Sequence, residues 1–443
     1  MSPRHSYYTS SFTSASKFVH KLIRPKHLTS RTVTIVPSYR CFHGARIHTY
    51  RQIIGSFTRP RIGSRIMAPS QSPKSDLEKQ YMSSTSSPKA DSRSKKPIAV
   101  PQPSSSILLI SPQNQILLLH RIRTSSSFPS AHVFPGGNLD PYHESPIPSP
   151  SSPSRHVDSE VYRIGAIREC FEECGILLAR PTQDNDVQRN DKERDDLLLE
   201  ISSSERERAR KEIHSKNTKF TSWVQEIGGK IDTANLLPFT RWITPSNLPK
   251  RFTTQMYIYF LPLDAETGIG EKEKMMQIPR DDGGIEHTAA EFGYCEDWLR
   301  KARRNEIILF PPQFYLMNLL VPFLSKPAEG ERFSRDELRK QRERVLEFLK
   351  GDGGDGTGVE WGEKVMSPIG MGMRRSDGRV VLGLDKQGPE LEGEGRSGDG
   401  TRVMLVKFLK EGPRDVEVRE RKEVLEEERR GNTEAEGAGG AKL

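Results

Sequence analysis

Three glutamates fall within five consecutive positions of the segment RECFEECGI, residues 168–176. On a helix that turns 100° per residue, Glu169, Glu172 and Glu173 share one face. Like charges three and four residues apart repel each other, so a cation among them would relieve the strain on the helix. Carboxylate oxygens gathered at one point suit Mg²⁺ or Mn²⁺, and these ions suit the reactions of phosphate groups. The segment therefore predicts a helix face that binds a divalent metal.

The opposite face of the same helix is apolar. Four side chains point away from the carboxylates: Ile164, Ile167, Phe171 and Cys174. The helix is predicted to begin near Ser159 and to end at Gly175, and Arg168 precedes Glu172 by the four residues that allow an ion pair. The alternative interpretation is a solvated acidic face without a ligand.

The elements before this helix predict how it is positioned. Residues 107–110 and 116–119 are the aliphatic runs ILLI and ILLL, and the polar segment SPQNQ between them favours a β-hairpin that enters the core sheet. A further strand ends in VFPGG, a glycine-rich turn at residues 133–137. Residues 141–155 are rich in proline and serine and predict an exposed loop.

This order of elements resembles the Nudix box, in which a glycine, a glutamate and then Arg-Glu-aliphatic-x-Glu-Glu-x-Gly-aliphatic occur at fixed spacing. The matching residues here are Gly137, Glu160, Arg168, Glu169, Glu172, Glu173, Gly175 and Ile176, with Cys170 where an aliphatic residue is usual. Between Gly137 and Glu160 there are 22 residues instead of the usual five. An interrupted box resembles the peroxisomal coenzyme A diphosphatases, and further likeness runs through residues 238–262 and 308–320.

The resemblance implies an α/β fold, an α/β/α sandwich around a mixed sheet, over residues 104–325. It also implies an enzyme that hydrolyses the diphosphate of coenzyme A and acyl-coenzyme A to 3′,5′-ADP and (acyl-)4′-phosphopantetheine. Two alternatives remain. NADH, ADP-ribose and capped RNA contain diphosphates of the same kind, and an inactive Nudix fold can serve as a binding module. Retention of the three helix glutamates argues against the inactive module, because it gains nothing from their repulsion.

The resemblance assigns expected roles to individual residues. The expected ligands of Mg²⁺ or Mn²⁺ are Glu160, Glu169, Glu172 and Glu173. The expected catalytic residues are Arg168, which orients Glu169, and three candidates for the general base, Glu169, Glu286 and Glu291. The expected substrate-binding residues are Gly136, Gly137, Arg121, Arg123, Lys250 and Arg251, the four cations being candidates for the 3′-phosphate of a coenzyme A substrate. For each cation the alternative is an ordinary exposed charge.

The net charge of +9 over 443 residues is concentrated at the start of the chain. Residues 1–66 contain twelve Lys and Arg and no Asp or Glu, so the remainder is mildly acidic and does not favour a nucleic-acid partner. A basic, serine-rich leader is typical of a mitochondrial transit peptide. The alternative is a disordered basic extension, or a sequence that is too long, with true initiation at Met67. The triplet Ala441, Lys442 and Leu443 resembles the signal read by the peroxisomal import receptor, so the peroxisome is the favoured location.

The rest of the domain organisation comes from composition. Residues 67–103 predict a disordered linker, residues 138–159 an insertion in the box, and residues 181–235 an inserted helical arm. Residues 326–430 predict a helix and a small β appendage, and residues 431–443 a disordered tail. No run of about 18 apolar residues is present, so no membrane span is predicted. Cys170 and Cys174 are predicted to be packing residues.

Overall fold

The structure is a computed structural model, and it describes residues 78–79, 97–124, 129–182, 198–263 and 287–439. The side chains of residue 374 and of residues 432–439 are not described. The predicted leader, most of the predicted linker, Glu286 and the terminal triplet Ala441, Lys442 and Leu443 lie outside the described residues.

The described elements alternate between strands and helices. The first part of the chain forms β1 (Gln102–Ile110), β2 (Ile116–Arg121), β3 (His132–Val133), β4 (Gly136–Asn138), α1 (Glu160–Cys174), β5 (Ala179–Pro181), α2 (Ser203–His214), α3 (Phe220–Glu226), β6 (Gly229–Ile231), β7 (Leu237–Ile243) and β8 (Phe252–Phe260). The second part forms β9 (His287–Gly293), α4 (Cys295–Arg303), α5 (Pro311–Leu320), α6 (Arg335–Lys350), β10 (Val365–Met366), β11 (Ile369–Arg374), β12 (Val380–Leu384), β13 (Asp399–Leu409), β14 (Gly412–Glu420) and α7 (Arg421–Gly439). Within these described ranges, no helix is both long and apolar enough to cross a bilayer.

Eight strands form one mixed sheet. Its order is β10-β7-β8-β1-β2-β3, with β4 also paired to β1 and β9 to β2. β1 runs parallel to β8 and β7 parallel to β10, whereas the other pairs are antiparallel. The predicted hairpin is present, with Ile110 opposite Ile116, and β1 begins at Gln102, slightly before the predicted domain boundary.

Helices cover both faces of this sheet, which explains the continuous aliphatic runs in β1 and β2. Ile107 and Leu109 face the side that α1, α2 and α3 cover. Leu108 and Ile110 face the side that α4, α5 and α6 cover, because successive side chains of a strand alternate between faces. The fold is the α/β/α sandwich that the sequence predicts.

The C-terminal segment is more than the two strand-like runs expected from sequence. Four antiparallel strands form a second sheet in the order β11-β12-β13-β14. Leu382 and Phe408 of this sheet belong to the same apolar cluster as Leu108, and Val365 in β10 extends the main sheet beside β7. Helix α7 continues to Gly439, so the structure has helix over residues 431–439, where the sequence predicts a disordered tail.

The box insertion differs from the exposed loop that its composition predicts. His143, Glu144, Arg155 and His156 are all buried. Arg155 donates a hydrogen bond to the carbonyl oxygen of Pro101, just before β1, and accepts one from the Tyr162 hydroxyl through its own carbonyl oxygen. These contacts fasten the end of the insertion between the sheet and α1.

Candidate active site

Helix α1 presents the three glutamates as predicted from its periodicity. It begins at Glu160, after Ser159, and Gly175 follows its last residue. The φ of Gly175 is +76°, a left-handed conformation that glycine adopts without strain, and its N–H donates to the carbonyl oxygen of Phe171. Phe171 and Cys174 are fully buried on the opposite face, so the apolar face is also confirmed.

Arg168 lies at the centre of a buried ion-pair network. Its Nε donates to Glu144 Oε1 at 2.6 Å, Nη1 to Glu172 Oε1 at 2.7 Å, and Nη2 lies 2.9 Å from Glu169 Oε1. Nη2 also donates to the carbonyl oxygen of Asn138 at 3.1 Å. The side chain of Arg168 is only 5% exposed and that of Glu144 is 0% exposed, so these charges are held largely without water. One guanidinium therefore orients three carboxylates.

The glutamate after the glycine turn that contacts Arg168 is Glu144, not the predicted Glu160. Six residues separate Gly137 from Glu144, close to the five of an uninterrupted box. Glu160 is exposed and accepts a hydrogen bond from the Thr233 hydroxyl at 2.8 Å. At 1.5 Å per helical residue, Glu160 lies about 14 Å along α1 from Glu169, too far to share a metal ion with it. The insertion thus lies after the glutamate that follows the turn, and sequence spacing alone misassigned it.

Two glycines of β4 contact the helix carboxylates. The N–H of Gly136 donates to Glu173 Oε2 at 2.7 Å. A Cβ on Gly137 would lie 2.6 Å from the carboxylate carbon of Glu169, and one on Gly136 would lie 2.4 Å from the carbonyl oxygen of Ser105. Glycine is required at residue 136, where a Cβ would meet backbone atoms, whereas at residue 137 a Cβ would displace the Glu169 carboxylate. Their expected role in binding substrate stays a prediction.

The electrostatics of the cluster favour a cation. Burial, together with the neighbouring charges of Glu172 and Glu144 and against the opposing charge of Arg168, raises the pKa of Glu169 to about 7. A carboxyl group with such a pKa is stabilised in its ionised form by a metal ion. Among the described residues, however, no three His, Cys, Asp or Glu side chains surround a common point. The donor chemistry of the cluster fits a divalent metal.

Helix α2 adds a cation at the end of α1. In α2, Arg210 donates to the carbonyl oxygens of Glu172 and Glu173 at 3.0 and 3.1 Å. Positive charge at a helix C-terminus is favourable because the last carbonyl groups carry partial negative charge. His214 Nδ1 also lies 3.2 Å from Glu172 Oε2. Sequence reasoning missed these contacts, since they join segments about forty residues apart.

The structure separates Glu291 from the cluster. Glu291 in β9 is opposite Leu118 in β2, and Leu118 faces the side that α4, α5 and α6 cover. The adjacent Ala290 packs on the other side, with α1. Because neighbouring side chains alternate, Glu291 points away from α1 and is exposed, so it is not placed to act as the base. Glu286, the other candidate, lies outside the described residues.

A histidine that sequence reasoning did not identify lies beside Glu173. The Nε2 atom of His287 is 3.6 Å from Glu173 Oε1, and its side chain is fully buried. Arg121 is the cross-strand partner of His287, so both side chains leave the same face of the sheet. Arg121 is thus the predicted cation that the structure brings to the side of the site.

The other three predicted cations are placed elsewhere. Arg251 forms a bidentate ion pair with Glu390, with N–O distances of 2.5 and 3.0 Å, and donates to the carbonyl oxygen of Thr244. Its guanidinium group is therefore occupied by contacts within the protein. Lys250 lies over the ring of Phe252, and Arg123 is exposed beyond the end of β2. The predicted 3′-phosphate role of Arg251 is therefore contradicted by its buried pairing.

Comparison with known proteins finds similarity over much of the same part of the chain. Residues 150–320 match the family model described as the NUDT19 Nudix domain. The acyl-coenzyme A diphosphatase NUDT19 of Xenopus laevis is 26% identical over 247 residues, covering 47% of this chain and 60% of that protein. The protein of the same name from Gallus gallus is 27% identical over 270 residues, covering 52% of this chain and 67% of that protein. The chain thus spans less than two thirds of the length of the Xenopus relative. Over the matched residues the chain is similar to the Nudix family, and within that family it resembles the coenzyme A diphosphatase branch.

Proposed function

We propose that the chain is a metal-dependent diphosphatase that hydrolyses coenzyme A and acyl-coenzyme A to 3′,5′-ADP and (acyl-)4′-phosphopantetheine. The observation that carries this proposal is the cluster of Glu144, Glu169 and Glu172 around Arg168, with Glu173 beside it on the same helix. A site with more carboxylates than cations favours binding of a divalent metal ion, and such an ion binds the oxygens of a diphosphate. The substrate class is supported by the relatives named acyl-coenzyme A diphosphatase.

Glu172 and Glu173 are the proposed ligands of Mg²⁺ or Mn²⁺. Nudix hydrolases generally use divalent metals, and the ion would supply positive charge to the diphosphate oxygens during cleavage. Glu173 is oriented for this role by the N–H of Gly136, and Glu172 by Arg168. Arg210 fixes the carbonyl groups of both residues, so it holds the end of the helix that bears them.

Glu169 is the proposed acceptor of the proton that the attacking water loses. Burial raises its pKa to about 7, and a general base works best when its pKa lies near the working pH. Arg168 holds one of its oxygens at 2.9 Å and is itself held by Glu144 at 2.6 Å. Arg168 and Glu144 are therefore positioning residues for this carboxylate.

The test incubates the purified full chain with Mg²⁺ or Mn²⁺ and a panel of substrates. The panel comprises free coenzyme A, acyl-coenzyme A, dephospho-coenzyme A, NADH, ADP-ribose and capped RNA, with products identified by mass spectrometry. We expect 3′,5′-ADP from the coenzyme A species and much slower cleavage of dephospho-coenzyme A. Glu173→Gln should abolish turnover, whereas Glu226→Gln, at an exposed position on α3, should not change it.

The alternative functions give different results in the same assay. Faster cleavage of NADH, ADP-ribose or capped RNA would keep the Nudix chemistry and overturn the assignment to coenzyme A. Binding of coenzyme A without turnover of any substrate would favour an inactive binding module. Equal loss of activity in Glu173→Gln and Glu226→Gln would refute the assigned site.

The proposed location is the peroxisome, supported by the terminal triplet Ala441, Lys442 and Leu443. The basic segment 1–66 supports the mitochondrion as the alternative. The test compares, by fluorescence microscopy, chains with a fluorescent protein placed inside residues 67–77 and with either end deleted. Loss of peroxisomal signal on removal of the triplet is expected. Unchanged distribution after that deletion would overturn the peroxisomal assignment.

A further inference from the structure

The end of helix α2 contacts both α1 and the segment that follows the glycine turn. His214, the last residue of α2, places its Nδ1 atom 3.2 Å from Glu172 Oε2 on α1. Two residues further along the chain, Lys216 Nζ lies 2.5 Å from Oδ2 of Asp140, which comes shortly after the glycine turn. A short exposed segment therefore spans from α1 to the glycine turn.

Asp140 connects Lys216 to the carboxylate cluster. The N–H of Asp140 donates to Glu144 Oε2 at 2.7 Å, and Glu144 is the carboxylate that holds Arg168 Nε. The Asp140 carboxylate also accepts from the N–H of Tyr142 at 2.9 Å, which fixes its direction. Across one aspartate, these contacts place the Lys216 ammonium no more than about 9 Å from Glu144 Oε2. Lys216 thus lies at the rim of the cluster.

The ammonium group of Lys216 is accessible to a ligand. Its side chain is 55% exposed, and that of Asp140 is 23% exposed. Because water screens an ion pair of this kind, the pair contributes little free energy and opens readily. An ammonium group also has three N–H donors, of which the contact with Asp140 uses one. Asp140 therefore holds the flexible lysine near the cluster and leaves its ammonium group able to bind an anion from solution.

The backbone at residue 216 does not explain why a lysine is there. The φ of Lys216 is +59°, in the left-handed region that glycine and asparagine adopt with less strain. Its N–H donates to the carbonyl oxygen of Ile213 at 2.9 Å, at the end of α2. Since asparagine would suit this turn better, the side chain of the lysine, rather than its conformation, accounts for its presence.

Two guanidinium groups closer to the cluster are occupied by contacts within the protein. Arg168 contacts three carboxylates. Arg210 donates to the carbonyl oxygens of Glu172 and Glu173. Either group would lose these contacts on binding a substrate phosphate, whereas Lys216 would lose only a screened ion pair.

A coenzyme A substrate differs from NADH and ADP-ribose by the phosphate on its 3′-hydroxyl. This phosphate and the diphosphate are carried by the same ribose, so a diphosphate at the cluster brings the 3′-phosphate to the rim. We propose that Lys216 is a specificity-determining residue that binds the 3′-phosphate of the substrate. This inference rests on the proposed function and identifies the side chain that distinguishes its substrate from other diphosphates.

The first test measures kcat and KM for coenzyme A and dephospho-coenzyme A with Mn²⁺, in the unaltered full chain and in Lys216→Asn. Asparagine is chosen because it tolerates the left-handed backbone. The ratio of kcat/KM for coenzyme A to kcat/KM for dephospho-coenzyme A should fall about tenfold, mainly through a higher KM for coenzyme A, because one charge-assisted hydrogen bond is lost. Lys211→Gln, which removes an exposed charge on α2, is the matched control and should leave this ratio unchanged.

The second test measures binding of 3′,5′-ADP and 5′-AMP to the same proteins by isothermal titration calorimetry with Mg²⁺. Neither nucleotide contains a diphosphate to cleave, so this readout does not depend on turnover. The unaltered chain should bind 3′,5′-ADP more tightly than 5′-AMP, and Lys216→Asn should bind the two with similar affinity. A purely structural role of Lys216 would instead weaken the binding of both nucleotides equally.

Retention of the preference for the 3′-phosphate in Lys216→Asn would overturn the proposal, as would equal binding of the two nucleotides by the unaltered chain. An equal loss of preference in Lys211→Gln would also overturn it, since the effect would then be one of general charge. Loss of the preference in Arg121→Gln, with retention in Lys216→Asn, would assign the phosphate to Arg121 instead. Failure of the unaltered chain to hydrolyse any coenzyme A species would refute the proposed function, and the binding test would then decide the role of Lys216 by itself.

Discussion

Replacement of Glu144 by glutamine tests the reassigned cluster most directly. The carboxylate accepts from Arg168 Nε at 2.6 Å and from the N–H of Asp140 at 2.7 Å, and its side chain is fully buried. A glutamine side chain has the same shape but only one acceptor oxygen, so its amide would face one of the two donors. Hydrogen bonds to charged groups contribute about 1.5–3 kcal/mol. Because Arg168 retains its ion pairs with Glu169 and Glu172, we expect Glu144→Gln to lower the free energy of unfolding by only about 2 kcal/mol.

The same substitution should also lower the rate of hydrolysis, because the guanidinium that orients Glu169 would lose its anchor. A displacement of about 1 Å at such a group can cost about a hundredfold in rate, so we expect at least a tenfold loss in kcat. Unfolding in urea, followed by fluorescence in EDTA at pH 7, gives the stability. Steady-state kinetics with coenzyme A and Mn²⁺ give the rate.

Glu160→Gln is the matched control for this experiment. Glu160 is exposed, and glutamine keeps an oxygen that can accept from the Thr233 hydroxyl, so the substitution removes only a favourable charge interaction with the helix N-terminus. We expect a change of at most about 1 kcal/mol in stability and none in kcat. If Glu160→Gln were the more damaging substitution, or if both had equal effects, the assignment of Glu144 to the cluster would be wrong.

Gly137→Ala is expected to lower the rate of hydrolysis and to change the free energy of unfolding by less than about 1 kcal/mol, because the added methyl group displaces only the end of the Glu169 side chain. Steady-state kinetics and thermal unfolding of the same preparation measure the two effects. Arg251→Lys should lower the free energy of unfolding by about 2 kcal/mol in urea and leave the KM for coenzyme A unchanged, since the partner of Arg251 is Glu390. Burial lowers the pKa of His132 from its usual 6.5 to about 4, with His120 and Lys301 adding to the effect. The folded chain then binds this proton less well than the unfolded chain, so stability is lost as pH falls from 6.5 towards 4. In urea unfolding at pH 7 and pH 4.5, His132→Gln should reduce this loss by up to about 3 kcal/mol.

Regular elements account for the parts of the site that could be predicted from sequence. The period of α1 places Glu169, Glu172 and Glu173 on one face and Phe171 on the other, and the structure agrees because helix geometry is local. The ion pair between Arg168 and Glu172 follows from the same geometry. Spacing constrains positions well inside a helix, where each residue adds a fixed rise and rotation.

Sequence spacing predicts little about which side chains meet across a loop or between distant segments. Counting through the insertion led to Glu160, whereas the loop folds back and delivers Glu144. Arg251 was expected at the substrate because it is a cation that could hold a 3′-phosphate. Its actual partner, Glu390, is 139 residues away in sequence, so spacing could not reveal the pair. The polar composition of residues 431–443 predicted disorder, but α7 continues to Gly439, and Val424 near its start packs into a small apolar cluster with Val403.

The insertion separates the glycine turn and Glu144 from helix α1. The contact between these two parts is made by Arg168 and Glu144 and does not involve the residues between Glu144 and Arg155. Arg168 binds Glu144 on one side, and the carbonyl oxygen of Pro101 binds Arg155 on the other, so both ends of the loop are pinned by contacts outside it. Once the ends are fixed, doubling the length of a flexible loop costs only about 0.6 kcal/mol in closure entropy. The residues between these two anchors are therefore a position where evolution can add or remove segments cheaply, and where new binding surfaces can be acquired without altering the carboxylate cluster.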